Sequence, residues 1–203
     1  MKIKTLWSIM AVGAMAMGAQ AALAAGDAVA GKAKFYTCGG CHAIEGYGNA
    51  FPTYPVPRLG GQHQDVVIAA LMAYKDGERK HGSMEGNAAD LSEKDMDDIS
   101  AYVSQFKNGT STGNVTGNVA VGQGKSQTCA ACHGEDGNSQ VASNPRLAGQ
   151  REGYLVKALK DYKSGARNNP IMGGMAQGLS EQDIKDIAAF YASQKKGLLT
   201  IFD

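Results

Sequence analysis

One five-residue pattern, Cys-x-x-Cys-His, occurs twice in this chain of 203 residues, as Cys38-Gly39-Gly40-Cys41-His42 and as Cys129-Ala130-Ala131-Cys132-His133. Together the two copies use all 4 cysteines. Thiols three positions apart share one face of a helical turn, and the imidazole that follows continues it. This spacing suits covalent attachment of a c-type haem, each thiol bonding a vinyl group while His42 or His133 meets the iron from one side. Cys-x-x-Cys alone would also serve a dithiol redox pair, half of a zinc site or a disulfide framework. None of these needs histidine in the next position. Its recurrence there predicts two covalently bound haem c groups, one through Cys38 and Cys41, the other through Cys129 and Cys132.

The motifs belong to a longer repeat. They lie 91 residues apart, and further along the offset is a constant 88. Pro57-Arg58-Leu59-Gly60-Gly61-Gln62 pairs with Pro145-Arg146-Leu147-Ala148-Gly149-Gln150, and Tyr74 to Arg79 pairs with Tyr162 to Arg167. The drop in offset puts three extra residues in the first half, between Tyr47 and Val56, expected as a longer surface loop. Residues 108–118, rich in Gly, Thr and Asn, read as a linker between an N-terminal domain (25–107) and a C-terminal one (119–203).

Each half reads as three helices. The first runs from the N-cap Asp27 into Cys38, with a counterpart from about Val121 into Cys129. The second carries Val67, Leu71 and Tyr74, or Leu155, Leu159 and Tyr162, on one face. The third opens at Ser92-x-x-Asp95 or Ser180-x-x-Asp183 and aligns Met96, Ile99 and Tyr102, or Ile184, Ile187 and Phe190. The expected fold class is all-α: two tandem domains, each with about three main helices around one haem. At roughly 85 to 90 residues per domain the side-chain core is modest, and an embedded apolar macrocycle supplies much of the buried surface.

The chain opens with Lys2 and Lys4, an apolar stretch from Leu6 to Ala19, and the small-residue sequence Ala22-Leu23-Ala24. These are the parts of a cleaved export signal over residues 1–24, with Ala19-Gln20-Ala21 as an alternative site. Haem attachment outside the cytoplasm then points to the periplasm, association with the membrane surface being left open. Residues 25–108 carry 8 Lys and Arg against 11 Asp and Glu, whereas 109–203 carry 10 against 8. This modest dipole gives no reason to expect a nucleic-acid partner.

What fills the position opposite each histidine decides between electron transfer, gas binding and chemistry. The 88 offset pairs Met84 with Met172, each seven residues before the Leu-Ser of the third helix. Met175 is the alternative to Met172. His63 and His81 are rivals for the first iron only, because the second half has no histidine besides His133. Imidazole and thioether on both sides would close each iron to substrate and raise its reduction potential. No acid–base constellation suggests an enzyme. Pro57 and Pro145 are placed to offer carbonyls to the imidazole Nδ1 protons. Arg58 and Arg146, or Arg79 and Arg167, are candidates to pair with haem propionates.

These residues resemble the diheme cytochrome c4 group, tandem class I cytochrome c domains of bacterial periplasms. The likeness rests on both haem motifs, both Pro-Arg-Leu-x-Gly-Gln segments and both Met-x6-Leu-Ser runs. It implies all-helical domains related by a pseudo-twofold axis, with axial ligands His42, Met84, His133 and Met172. It also implies single-electron transfer from a quinol-oxidising complex toward a terminal oxidase. A dedicated acceptor subunit of a periplasmic dehydrogenase, for example a sulfide-oxidising flavoprotein, is the other reading. The longer Tyr47 to Val56 loop and Gly173-Gly174 depart from the group's pattern.

Overall fold

The computed structural model describes residues 26–50, 53–107, 109–110 and 114–201. The expected export signal, and residues 108 and 111–113 of the expected linker, lie outside them. The N-terminal domain contains α1 (Ala28–His42), a hairpin of β1 (Gly48–Ala50) and β2 (Thr53–Pro55), α2 (Gln64–Lys75), α3 (Gly82–Ala88) and α4 (Glu93–Ser104). After β3 (Gly109–Thr110), the C-terminal domain follows with α5 (Val119–Lys125), α6 (Gln127–His133), α7 (Glu152–Ser164), α8 (Pro170–Gln177), α9 (Glu181–Ala192) and β4 (Lys196–Gly197). The fold is all-α apart from two short antiparallel ladders, β1 with β2 and β3 with β4.

Local chemistry accounts for most helix ends. Asp27 caps α1 by accepting from the amides of Val29 and Ala30, and Ser92 and Ser180 form capping boxes with Asp95 and Asp183. The first and last helices of each domain cross at close range, which requires glycine at the crossing point. A Cβ on Gly31 would stand 1.9 Å from the Asp98 carbonyl oxygen, and one on Gly122 1.9 Å from that of Asp186. The same aspartates hold the start of the opposing helix: Asp27 N–H donates to Asp98 Oδ1 at 2.7 Å, and Asn118 N–H to Asp186 Oδ1 at 2.8 Å.

The predicted stripes form the cores. Phe35, Val67, Leu71, Tyr74, Met96, Ile99 and Tyr102 cluster in the first domain, and Leu155, Ile187 and Phe190 in the second. Three features differ from the sequence reading. The methionine segments, which the three-helix reading left outside its helices, are the short helices α3 and α8. The first helix of the second domain breaks at Ser126, whose hydroxyl donates to the Gln123 carbonyl and competes with regular helix there. The three extra residues near Tyr47 give a hairpin whose Pro55 rests on Gly153 of α7, so this segment bridges to the other domain.

Symmetry between the domains is visible in the pairing itself. Arg79 bridges Arg167 and Gly109 pairs with Gly197, both antiparallel and both 88 residues apart, as a pseudo-twofold axis between equivalent residues demands. The C-terminus does not respect the expected domain division. Leu198 N–H donates to Ala148 O in its own domain at 2.8 Å, while Leu199 exchanges backbone bonds with Gly60 of the other, each at 3.0 Å. Ile201 then enters the N-terminal core, 1% exposed.

Candidate haem centres

The last turn of α1 presents Cys38, Cys41 and His42, and α6 presents Cys129, Cys132 and His133. In each copy the first thiol is half-buried and the second exposed, and none is in a disulfide. The imidazoles of His42 and His133 are buried. Their Nδ1 atoms lie 3.0 Å from the Pro57 carbonyl oxygen and 2.9 Å from that of Pro145. In the neutral ring Nδ1–H therefore donates to the proline carbonyl, leaving the Nε2 lone pair for a metal. Burial pushes both imidazoles below the ordinary histidine value, and the carbonyl bonds only partly offset it.

Met84 and Met172 occupy the same position in their short helices. Met84 N–H donates to the cap His81 Nδ1 at 3.3 Å, and Met172 N–H to the cap Asn169 Oδ1 at 2.9 Å. Both thioethers are half-buried, and Met84 packs against the N-terminal core. Met175 is 41% exposed and Met72 42%. The rival histidines are both half-buried and otherwise engaged, His81 capping α3 and His63 Nε2 bonding the Ser139 carbonyl across the domain boundary at 2.8 Å.

This donor set fits covalent haem: two thiols one turn apart, an imidazole with its tautomer fixed by a carbonyl, and a soft thioether at a matching place in each domain. Among the described residues, no group of three or more His, Cys, Asp or Glu is gathered to hold a bare metal ion.

The structure places Arg58 and Arg146 at the domain boundary. Arg58, 4% exposed, donates from Nη1 to Gly149 O at 2.6 Å and from Nη2 to Glu45 Oε1 at 2.8 Å. Arg146 answers with Nη1 on Gly61 O at 2.8 Å. Two glutamines complete a reciprocal clasp that sequence reasoning had not assigned. Gln150 bonds the Arg58 N–H and C=O at 2.8 and 2.9 Å, and Gln62 bonds those of Arg146 at 2.9 and 3.1 Å. The signal was present, since both glutamines close the repeated Pro-Arg-Leu-x-Gly-Gln segment. Glu45 joins Arg58, Arg151 and Thr200. Burial works to raise its pKa, but the bonds from Thr200 and Arg58 outweigh this and hold it below the ordinary glutamate value.

Arg79 and Arg167 lie half-buried over Tyr74 and Tyr162, 4.5 and 4.6 Å from the ring centroids. Between them sits Tyr154, whose hydroxyl accepts from Arg79 Nη2 at 2.8 Å. Burial opposes its ionisation, yet the two guanidinium charges lower its pKa to about 8. No carboxylate pairs with Arg79 or Arg167 among the described residues.

Comparison with known proteins agrees with this architecture. The cytochrome c family model matches the chain twice, over residues 28–107 and 119–195. Cytochrome c4 of Pseudomonas aeruginosa is 49% identical over 86 residues, 42% of this chain and 43% of that one, so the match spans under half of that relative. A thiosulfate dehydrogenase electron acceptor of Stutzerimonas stutzeri is 28% identical across 92% of this chain and 94% of that one. The crystal structure of reduced recombinant cytochrome c4 from Pseudomonas stutzeri superposes with a TM-score of 0.68 at 31% identity, covering 84% of this chain and 100% of that one. With two matched domains, duplicated donor sets and a whole-fold likeness, the chain belongs to the diheme cytochrome c4 group of the cytochrome c family and carries two covalently bound haem c groups.

Proposed function

We propose that this protein is a periplasmic carrier of single electrons between a quinol-oxidising complex and a terminal oxidase. It is not an enzyme in its own right. The observation that supports this most is the duplication of the donor residues and their supports: His42 and His133 each backed by a proline carbonyl, Met84 and Met172 each set by an N-cap. The haem groups supply reversible one-electron chemistry, and His/Met ligation sets it at high potential. The chain's part is to attach them through Cys38, Cys41, Cys129 and Cys132, to fix each imidazole's orientation through Pro57 or Pro145, and to leave no open position for substrate. Arg79 and Arg167, half-buried and without a carboxylate partner among the described residues, are suited to the propionates. Arg58 and Arg146 hold the two domains in register, which keeps the separation between the centres constant. Export follows from the segment over residues 1–24, and no helix among the described residues is long and apolar enough to cross a membrane.

A second reading has one specific support, the full-length similarity to a relative named as a thiosulfate dehydrogenase electron acceptor. Under that reading the donor is a periplasmic dehydrogenase bound through a larger, lasting interface. Size exclusion of a native extract separates the two, since a dehydrogenase co-eluting in fixed ratio would overturn the shuttle. Prompt uptake of carbon monoxide by the reduced protein would overturn the closed-site reading altogether.

A further inference from the structure

The two faces of the domain boundary share one clasp but differ in what surrounds it. On the first face the Glu45 carboxylate accepts from Arg58 Nη2 at 2.8 Å and from Arg151 Nη1 at 3.0 Å, and the Thr200 hydroxyl donates to it as well. The β1–β2 hairpin covers that face, with Pro55 against Gly153. The opposite face is built from the repeat-equivalent residues without the acid. Arg146 takes the place of Arg58 and His63 that of Arg151, each 88 residues apart, while the counterpart of Glu45, 91 residues on, is Asp136. Asp136 is one methylene shorter and turns to Asn138, accepting from its backbone N–H and its side-chain amide, each at 2.9 Å. Thr112, the counterpart of Thr200, lies outside the described residues. The connection from His133 to Pro145 is also three residues shorter than that from His42 to Pro57, and it forms turns and bends instead of a hairpin.

A cavity of about 310 Å³ stands on this second face, with His63, Asp65, Ser104, Lys107 and Arg146 in its wall. The half-buried Arg146 gives Nη1 to Gly61 O at 2.8 Å and Nε to Ser139 O at 3.4 Å, and its Nη2 has no partner among the described residues. Lys107 is exposed and in no ion pair among the described residues, and Asp65 is the one carboxylate of the described wall. We propose that this cavity binds a small carboxylate or inorganic oxyanion, which takes from Arg146 the bond that Glu45 takes from Arg58. The planar guanidinium suits such a ligand, and Arg146 with Lys107 outweighs Asp65 by one positive charge. Arg146 belongs to the second domain and His63, Asp65 and Lys107 to the first, so occupancy favours the docked pair of domains. The site is independent of the haem centres, and its failure would leave the electron-transfer reading untouched.

Calorimetric titration of the holoprotein with malonate and, separately, with phosphate, at fixed ionic strength in chloride, should show saturable one-site binding of at least one probe. The malonate arm identifies an organic acid and the phosphate arm an inorganic oxyanion. Lys107→Gln should weaken binding several-fold and Asp65→Asn should tighten it, both at exposed positions that leave the clasp intact. Arg146→Lys keeps the charge and loses the fork, and should weaken binding by about 10- to 100-fold, the range of one charge-assisted hydrogen bond. Asp136→Glu with Asn138→Ala offers Arg146 an internal carboxylate of the length Glu45 has, and should weaken binding by competition. Heat that does not saturate with either probe, or an affinity unmoved by both Lys107→Gln and Asp65→Asn, would overturn the proposal.

Discussion

Ile201 lies near the C-terminus yet belongs to the core of the N-terminal domain, and replacing it with alanine tests that crossing. The side chain is 1% exposed, so nearly its full transfer free energy is at stake. Removing three carbons forfeits about 2.4 kcal/mol at about 0.8 kcal/mol per buried methylene. A residual cavity adds to this, and buried Ile→Ala changes span about 2–5 kcal/mol. The site is close to a chain end, where neighbours relax into the space, so the expected loss is about 2–3 kcal/mol. For a chain of this size that is a Tm lower by roughly 5–10 °C, at about 2–4 °C per kcal/mol. Native-state hydrogen exchange on the holoprotein locates the effect. Protection should fall in α2 and α4, far earlier in the chain than the substitution, as well as at the Gly60–Leu199 backbone pair. A loss under about 1 kcal/mol, or one confined to α7 and α9, would refute the claim that the tail completes the first domain.

Met84→Ala and Met172→Ala should each remove about half of the near-infrared sulfur-to-iron band of the oxidised protein, as expected for one thioether per iron, while Met175→Ala leaves it intact. Loss of the band in Met175→Ala would reassign the second ligand. Gln62→Ala and Gln150→Ala should each cost about 2 kcal/mol, because each strands a backbone donor and acceptor of the opposite domain. Denaturant unfolding of the singles and the double would show a coupling well above 0.5 kcal/mol if they form one clasp. Glu45 titrates below its ordinary value in the folded protein, so the unfolded chain binds the extra proton in acid. Its contribution is present above the ordinary glutamate pKa and is lost as pH falls through the folded one. Unfolding midpoints of Glu45→Gln should therefore vary less between neutral and acid pH than those of the unsubstituted protein.

What was legible in the sequence was what neighbouring residues decide among themselves. The stripes at Val67, Leu71 and Tyr74 and the capping boxes at Ser92 and Ser180 act within one or two turns, so periodicity found them. Helices α3 and α8 were hidden because Gly82 and Gly86, or Gly173 and Gly174, each weaken a helix by about 1 kcal/mol. What restores them is an N-cap, His81 or Asn169, together with packing against the core. The clasp was hidden for a different reason: Arg58 meets Gln150 across 92 residues, and no local pattern encodes such a pairing. The repeat nonetheless marked it, since a side chain that contacts its symmetry mate's surroundings must appear in both copies.

The same repeat also shows where equivalence stops. Backbone frame, proline carbonyls, caps and clasp glutamines recur in both domains, which explains why the donor sets match so closely. The residues that differ between the domains lie outside the proposed donor sets. Phe35 and Val103 give way to Ser126 and Tyr191, and Glu45, which neutralises Arg58, gives way to Asp136, which turns to Asn138. Arg146 has no carboxylate partner among the described residues. A carrier passing electrons between two centres of identical ligation gains direction only from such differences, because identical surroundings would leave both centres at one potential. On this reasoning, exchanging the surrounding residues between domains should move the potentials toward each other while both His/Met spectra persist, and a gap that survives the exchange would place its origin in the ligands themselves.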